Sequence, residues 1–157
     1  VDNVDNVDNV GNVINEQDTV ATIERFEDLE VWKTAREVTR MVYSLSNTGG
    51  FSRDFGLRDQ MRRAAVSILS NIAEGFESRT PPMFIEYLGR AKASAGELRA
   101  QAYVAMDVGY LTQAEFEILQ NLVAKCSSQA SNLSWYLKRR QNGVSEPGEI
   151  YIDRESG

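Results

Sequence analysis

Histidine is absent from the chain, and cysteine occurs once, at Cys126. The first absence removes imidazole as a general base or metal ligand, and with it the Glu-x-x-His pairs through which helical bundles hold paired iron. A single thiol can form no intramolecular disulfide and cannot stand in for imidazole at a zinc site; it points to a reducing compartment. Proline occurs only three times, and no apolar run approaches the roughly 18 residues that a membrane span needs. The N-terminus lacks a basic segment followed by an apolar one, and no glycine-rich phosphate loop of the G-x-x-x-x-G-K-[ST] or G-x-G-x-x-G type is present. The expectation is a cytoplasmic protein without a membrane segment, metal or cofactor, and not an enzyme.

What is present is an ordinary globular balance: 157 residues, 42% hydrophobic and 25% charged, enough for one domain with its own core. The formal charge of −6 is unevenly spread. Residues 1–26 hold Arg25 against six acids, and residues 143–157 hold Arg154 against four, which leaves 27–142 with fifteen basic and thirteen acidic residues. A mildly basic domain over 26–142 is thus expected between acidic tails at 1–25 and 143–157. If the domain carries a basic patch, the acidic N-terminal tail would compete with nucleic acid for it.

The first tail opens VDNVDNVDNVGNVINEQD. Valine recurs every third residue, a step that drifts by about 60° per repeat on a helix and alternates faces on a strand, so no one-sided apolar surface results. Aligning Gly11 with the glycine of a helix-loop-helix calcium loop puts Val10 and Gln17 at ligand positions, which excludes that site. At the other end, SEPGEIYIDRESG reads as a tail in which EIYI is at most a short edge strand.

Between the tails the apolar period becomes helical. Leu29, Trp32, Ala35, Thr39, Val42 and Leu45 mark a first helix, with Glu27, Asp28 and Glu30 at its positive end and NTGG as its stop. Leu57, Met61, Ala64, Ala65, Ile68, Ile72 and Phe76 mark a second that closes near Ser78. Thr80 as N-cap and Pro81 as first helical residue open a third, with Phe84, Leu88, Ala91, Ala95, Leu98, Ala102 and Ala105 on its core face. A second row there, Gly89, Ala93 and Gly96, is small enough for a neighbouring helix to come close. Thr112 and Glu115 form a capping box before a fourth helix with Phe116, Leu119, Val123, Cys126, Ala130, Leu133 and Leu137. Four such helices with short turns predict an all-α, antiparallel up-down-up-down four-helix bundle.

The segments FEDLEVWKTA, LRDQMRRAAVSILSNIAEGFES, FIEYLGRAKASAGEL and VGYLTQAEFEIL fall on these helices in order. Together, over about Phe26 to Arg140, they closely resemble the four-helix-bundle family encoded within intervening sequences of bacterial large-subunit (23S) ribosomal RNA genes. One branch comprises accessory proteins of diversity-generating retroelements, which bind a reverse transcriptase and nucleic acid. The resemblance implies a homopentameric barrel without known enzymatic activity, acting as a binding scaffold for itself and for a partner such as a reverse transcriptase. Residues matching the family motif on the second helix are Gln60, Arg62, Arg63, Ala64, Ser67, Ile68, Asn71, Ile72, Ala73, Glu74 and Gly75. This chain departs from the retroelement branch in charge, since those proteins are strongly basic.

Arg58, Arg62 and Arg63 are candidates for binding phosphate, although Asp54 and Asp59 stand where intrahelical pairs would absorb much of their charge. In SWYLKRR, Lys138, Arg139 and Arg140 have no acid three or four residues upstream and follow Trp135 and Tyr136. Such interleaving suits stacked bases and phosphates, and equally suits cations at a helix C-terminus with the aromatics packed inside or between subunits, the favoured reading. Asn71, Glu74 and Gly75 are structural candidates, with Glu74 and Glu97 too weak a pair to argue a catalytic acid. Val66 and Leu69, off the main stripe, join Gly89, Ala93 and Gly96 as candidates for an oligomer contact. Two functions compete: an oligomeric scaffold, and direct RNA or DNA binding through the basic patches of helices two and four.

Overall fold

The computed structural model describes residues 23–143, so the expected tails lie almost wholly outside the described residues. Among the described residues there are four α-helices and no strand: α1, Glu30–Leu45; α2, Phe55–Glu77; α3, Pro81–Asp107; α4, Gln113–Gln141. A 3-10 turn at Phe26–Asp28 leads into α1, so Glu27 and Asp28 lie in that turn and Glu30 alone in the helix's first turn.

The junctions follow local chemistry. Phe51–Arg53 forms a second 3-10 turn after the NTGG stop, and the Asp54 carboxylate then accepts the backbone N–H of Leu57 at 3.1 Å, capping α2. Three residues, 78–80, join α2 to α3. Arg79 takes φ +58°, the left-handed conformation that usually goes to glycine after a helix, and Thr80 is extended ahead of Pro81. The Thr80 hydroxyl makes no capping bond, contrary to expectation. Gly109, at φ +82°, turns the chain into α4, where Thr112 and Glu115 form the expected capping box.

α2 packs against α1 and α3, and α4 packs against α3 and α1, around a single core. All seven residues expected on the inner face of α3 are buried, from Phe84 to Ala105. On α1 the buried set is Val31, Thr34, Ala35, Val38 and Val42, whereas Trp32, Thr39 and Leu45 are only half-buried. The helix is thus rotated by roughly one residue from the expected face. Valines face the core, and Trp32 packs at the edge against Phe26, ring centroids 5.2 Å apart. Phe51, in a turn, is 2% exposed and stacks on Tyr110, whose hydroxyl donates to Asp54 at 3.0 Å. No periodicity marks either aromatic, and sequence reading misses both.

Cross-helix contacts set the register. Thr39 Oγ1 donates to Ala65 O, Ser67 Oγ meets Ser94 Oγ at 2.9 Å, Tyr103 packs on Phe116, and Gln120 donates to Arg99 O. Cys126 Sγ reaches Val31 O at 3.7 Å. Burial pushes the Cys126 thiol up to about 12.

Candidate functional site

The two basic clusters expected from sequence have different fates. Arg58 is half-buried: Nη1–H donates to Ser52 O and Nε–H to Asp59 Oδ1, both at 2.9 Å, and the guanidinium lies 4.7 Å from the centre of the Phe55 ring. Asp54 does not pair with Arg58, because its two oxygens serve the α2 cap and Tyr110. Arg62 donates to Ser46 Oγ at 2.8 Å and Ser46 O at 3.3 Å while lying 4.6 Å from the centre of the Tyr43 ring. Ser46 is the C-cap of α1 and fully buried, so Arg62 puts a cation on the negative end of that helix. Arg63 alone of the three is exposed, beside the half-open Val66.

At the end of α4, Arg139 lies 4.5 Å from the Trp135 ring centre and Arg140 5.7 Å from that of Tyr136, whose hydroxyl also accepts from Arg140 Nη1–H. Both pairs are one helical turn apart on one helix. Trp135 is 59% exposed, so it is not packed within the bundle, and Lys138 and Arg140 are exposed with it. Leu133 and Leu137 anchor this end against the core.

Among the structural candidates, Asn71 is half-buried and donates to Ser67 O at 2.7 Å and Ser67 Oγ at 3.0 Å, and Ser67 then meets Ser94. This chain of bonds pins α2 to α3. Gly75 is buried: a Cβ there would come within 2.7 Å of both Phe84 Cδ2 and Tyr87 Cβ, so the two helices meet at this glycine. Glu74 and Glu97 are both exposed, Glu97 accepting from Gln101, and no contact joins them among the described residues. Leu69 packs on the core, whereas Val66 is 38% exposed. Gly89, Ala93 and Gly96 are exposed, and a Cβ at either glycine meets nothing within 4 Å. No helix of the described unit uses that row for close approach.

Sequence reading missed the cations of α1. Arg36 and Arg40 are exposed and follow Trp32 at four-residue steps, a spacing that was the available signal; Arg36 lies 5.8 Å from the Trp32 ring centre. With Arg25 and Lys33 they border an open hollow of about 550 Å³. No described helix is long and apolar enough to cross a membrane.

Residues 27–132 match the family model described as 23S rRNA-intervening sequence protein. Among solved structures the chain is similar to a crystal structure of a protein of unknown function from the S23 ribosomal protein family of Bacteroides thetaiotaomicron VPI-5482. The identity is 21% and the TM-score 0.62, over 67% of this chain and 95% of that one, a likeness of fold. No curated protein matches the chain.

Proposed function

This chain belongs to the 23S rRNA-intervening sequence protein family, and from that premise we propose that it is a non-enzymatic, homo-oligomeric four-helix scaffold of the cytoplasm. The observation that carries the reading is the open row of Gly89, Ala93 and Gly96. Each glycine inside α3 costs about 1 kcal/mol of helix propensity against alanine. The described unit recovers none of it, since nothing approaches either glycine. A helix of a second copy laid on the row, with Val66 contributing from α2, supplies the missing reason.

Within each copy the proposed topology is antiparallel up-down-up-down. Its support is that paired residue numbers run in opposite directions: 39 with 65 and 46 with 62, 67 with 94 and 75 with 84, 99 with 120 and 103 with 116. Five copies closing into a barrel match the resemblance, and the same resemblance names a reverse transcriptase or another nucleic-acid-processing protein as the partner scaffolded. Light scattering at micromolar concentration tests the assembly. A mass near five times 17.6 kDa is expected, and substitution of Gly89 and Gly96 by leucine should lower it without loss of helical circular dichroism. A monomeric wild-type chain would defeat the scaffold reading.

A second reading, direct binding of RNA or DNA, is favoured by the exposed end of α4. There Arg139 and Arg140 lie over Trp135 and Tyr136 as cation–aromatic pairs, with Lys138 exposed beside them. Reversing the charge of the three cations should abolish binding to a labelled RNA whose affinity falls steeply with salt. Full retention of affinity in that variant excludes the α4 end as the site.

A further inference from the structure

We propose that the outer edge of α1 forms, with α2, a surface for the phosphodiester backbone of single-stranded nucleic acid, in which Arg36 and Arg40 hold phosphates and Trp32 and Tyr43 offer ring faces to bases. The proposal rests on the direct-binding reading and moves its site from the α4 end to the α1–α2 edge.

Trp32, Arg36, Arg40 and Tyr43 are separated by four, four and three residues, which stacks them in one stripe about 16 Å long. Thr39, inside that stretch, donates to Ala65 O, and Tyr43 receives Arg62 from α2, so the stripe runs along the α1–α2 junction. Arg63 borders it from the α2 side, over an open hollow of about 520 Å³ shared with Tyr43 and Val66.

The local charges decide what fits. Of the acids on this edge, Glu27 is held by Arg25, Glu30 by Lys33 and Asp59 by Arg58, whereas Glu37 beside the stripe and Asp28 near Arg25 and Lys33 have no such pair among the described residues, so the cations outnumber the acids left open. Arg36, Arg40, Arg62 and Arg63 make no ion pair among the described residues. Arg62 is committed to Ser46, which leaves Arg36, Arg40 and Arg63 presented outward. A second copy meeting this face symmetrically would oppose like charges. An acidic peptide would satisfy the guanidinium groups but has no use for ring faces interleaved with them. An unpaired nucleic-acid strand uses both, with charge tracking its backbone and rings receiving its bases.

The test is fluorescence anisotropy of the full chain with end-labelled 20-nucleotide oligouridylate and oligothymidylate, at 50 and 200 mM salt. Both strands should bind at low salt, since each presents a phosphodiester backbone and stackable bases. The double substitution R36E/R40E should weaken both by at least about ten-fold and flatten the salt dependence, since each lost phosphate contact removes about 0.7 from the logarithmic slope for single strands. Both positions are exposed, so circular dichroism should be unchanged. Wild-type affinity in R36E/R40E, with loss only on charge reversal of Lys138 to Arg140, would overturn this inference and leave the direct-binding reading standing. No binding by the wild-type chain at 50 mM salt would overturn both. A change of oligomeric mass in R36E/R40E without change of affinity would make the edge a contact between copies and overturn the inference.

Discussion

Arg62 on α2 and Arg139 on α4 each lie over an aromatic ring, at 4.6 and 4.5 Å, yet the two contacts do different things. Arg62 reaches across to α1, stacks on Tyr43 and caps the end of that helix through Ser46. Arg139 stacks on a ring one turn back along its own helix, and that ring is 59% exposed. The same pairing of cation and aromatic is therefore a brace between helices in one region and a surface feature in the other. The difference lies in what the neighbouring elements present. α2 runs between α1 and α3, where the Ser46 carbonyl and hydroxyl at the end of α1, and Ser94, Phe84 and Tyr87 of α3, engage its Arg62, Ser67 and Gly75. The last turns of α4 carry Trp135, Lys138 and Arg140 outward.

Substitutions can break this contrast. The largest effect should come from Gly75→Ala on α2, where the new methyl has to displace the Phe84 ring and the Tyr87 Cβ; a loss of about 3 kcal/mol is expected in urea unfolding. Arg62→Ala should follow at about 2 kcal/mol, because two charge-assisted bonds to a buried serine are lost. Replacing Lys138, Arg139 and Arg140 together by alanine should cost less than about 1 kcal/mol, the scale of a surface dipole effect, while changing nucleic-acid binding if the α4 end is used. A triple variant less stable than Arg62→Ala would erase the distinction between brace and surface. The inner half of α4 sharpens it through pH. Burial raises the Cys126 thiol from the ordinary 9.0 to about 12, so the folded chain keeps a proton that the unfolded chain gives up. The stability this contributes is complete below pH 9 and declines as pH rises toward 12. Equilibrium unfolding of Cys126→Ala against wild type should show the wild type losing more stability over that window, with no such difference at neutral pH.

Much of the fold was legible because its signals are local. Gly49 and Gly50, Pro81, and the Thr112–Glu115 box sit at helix boundaries, and the α3 stripe is buried at every expected position, whereas Asp54, expected as a pair for Arg58, is the cap of α2. The α1 stripe was less legible, since Trp32 and Val31 both begin a helical apolar period and the choice between them depends on what lies opposite. Phe51 and Tyr110 carry no period at all, being held by each other and by Asp54. The candidate sites show the same limit. The clusters at Arg58–Arg63 and Lys138–Arg140 were visible, but Asp59 was expected to serve Arg62 or Arg63 and in fact pairs with Arg58. Arg36 and Arg40 were passed over although their spacing from Trp32 was in view.

By itself, then, the sequence determined four helices, the capping box of the fourth and the inner face of three of them, because these depend on hydrogen bonds and side-chain periods within a few residues of one another. Only the tertiary structure decided that Gly75 is a point of contact while Gly89 and Gly96 stand open, and that Arg62 is a brace while Arg36, Arg40 and Lys138 face outward. Those outcomes turn on which atoms a second helix brings within about 4 Å, and that is a property of pairs of elements distant in the chain.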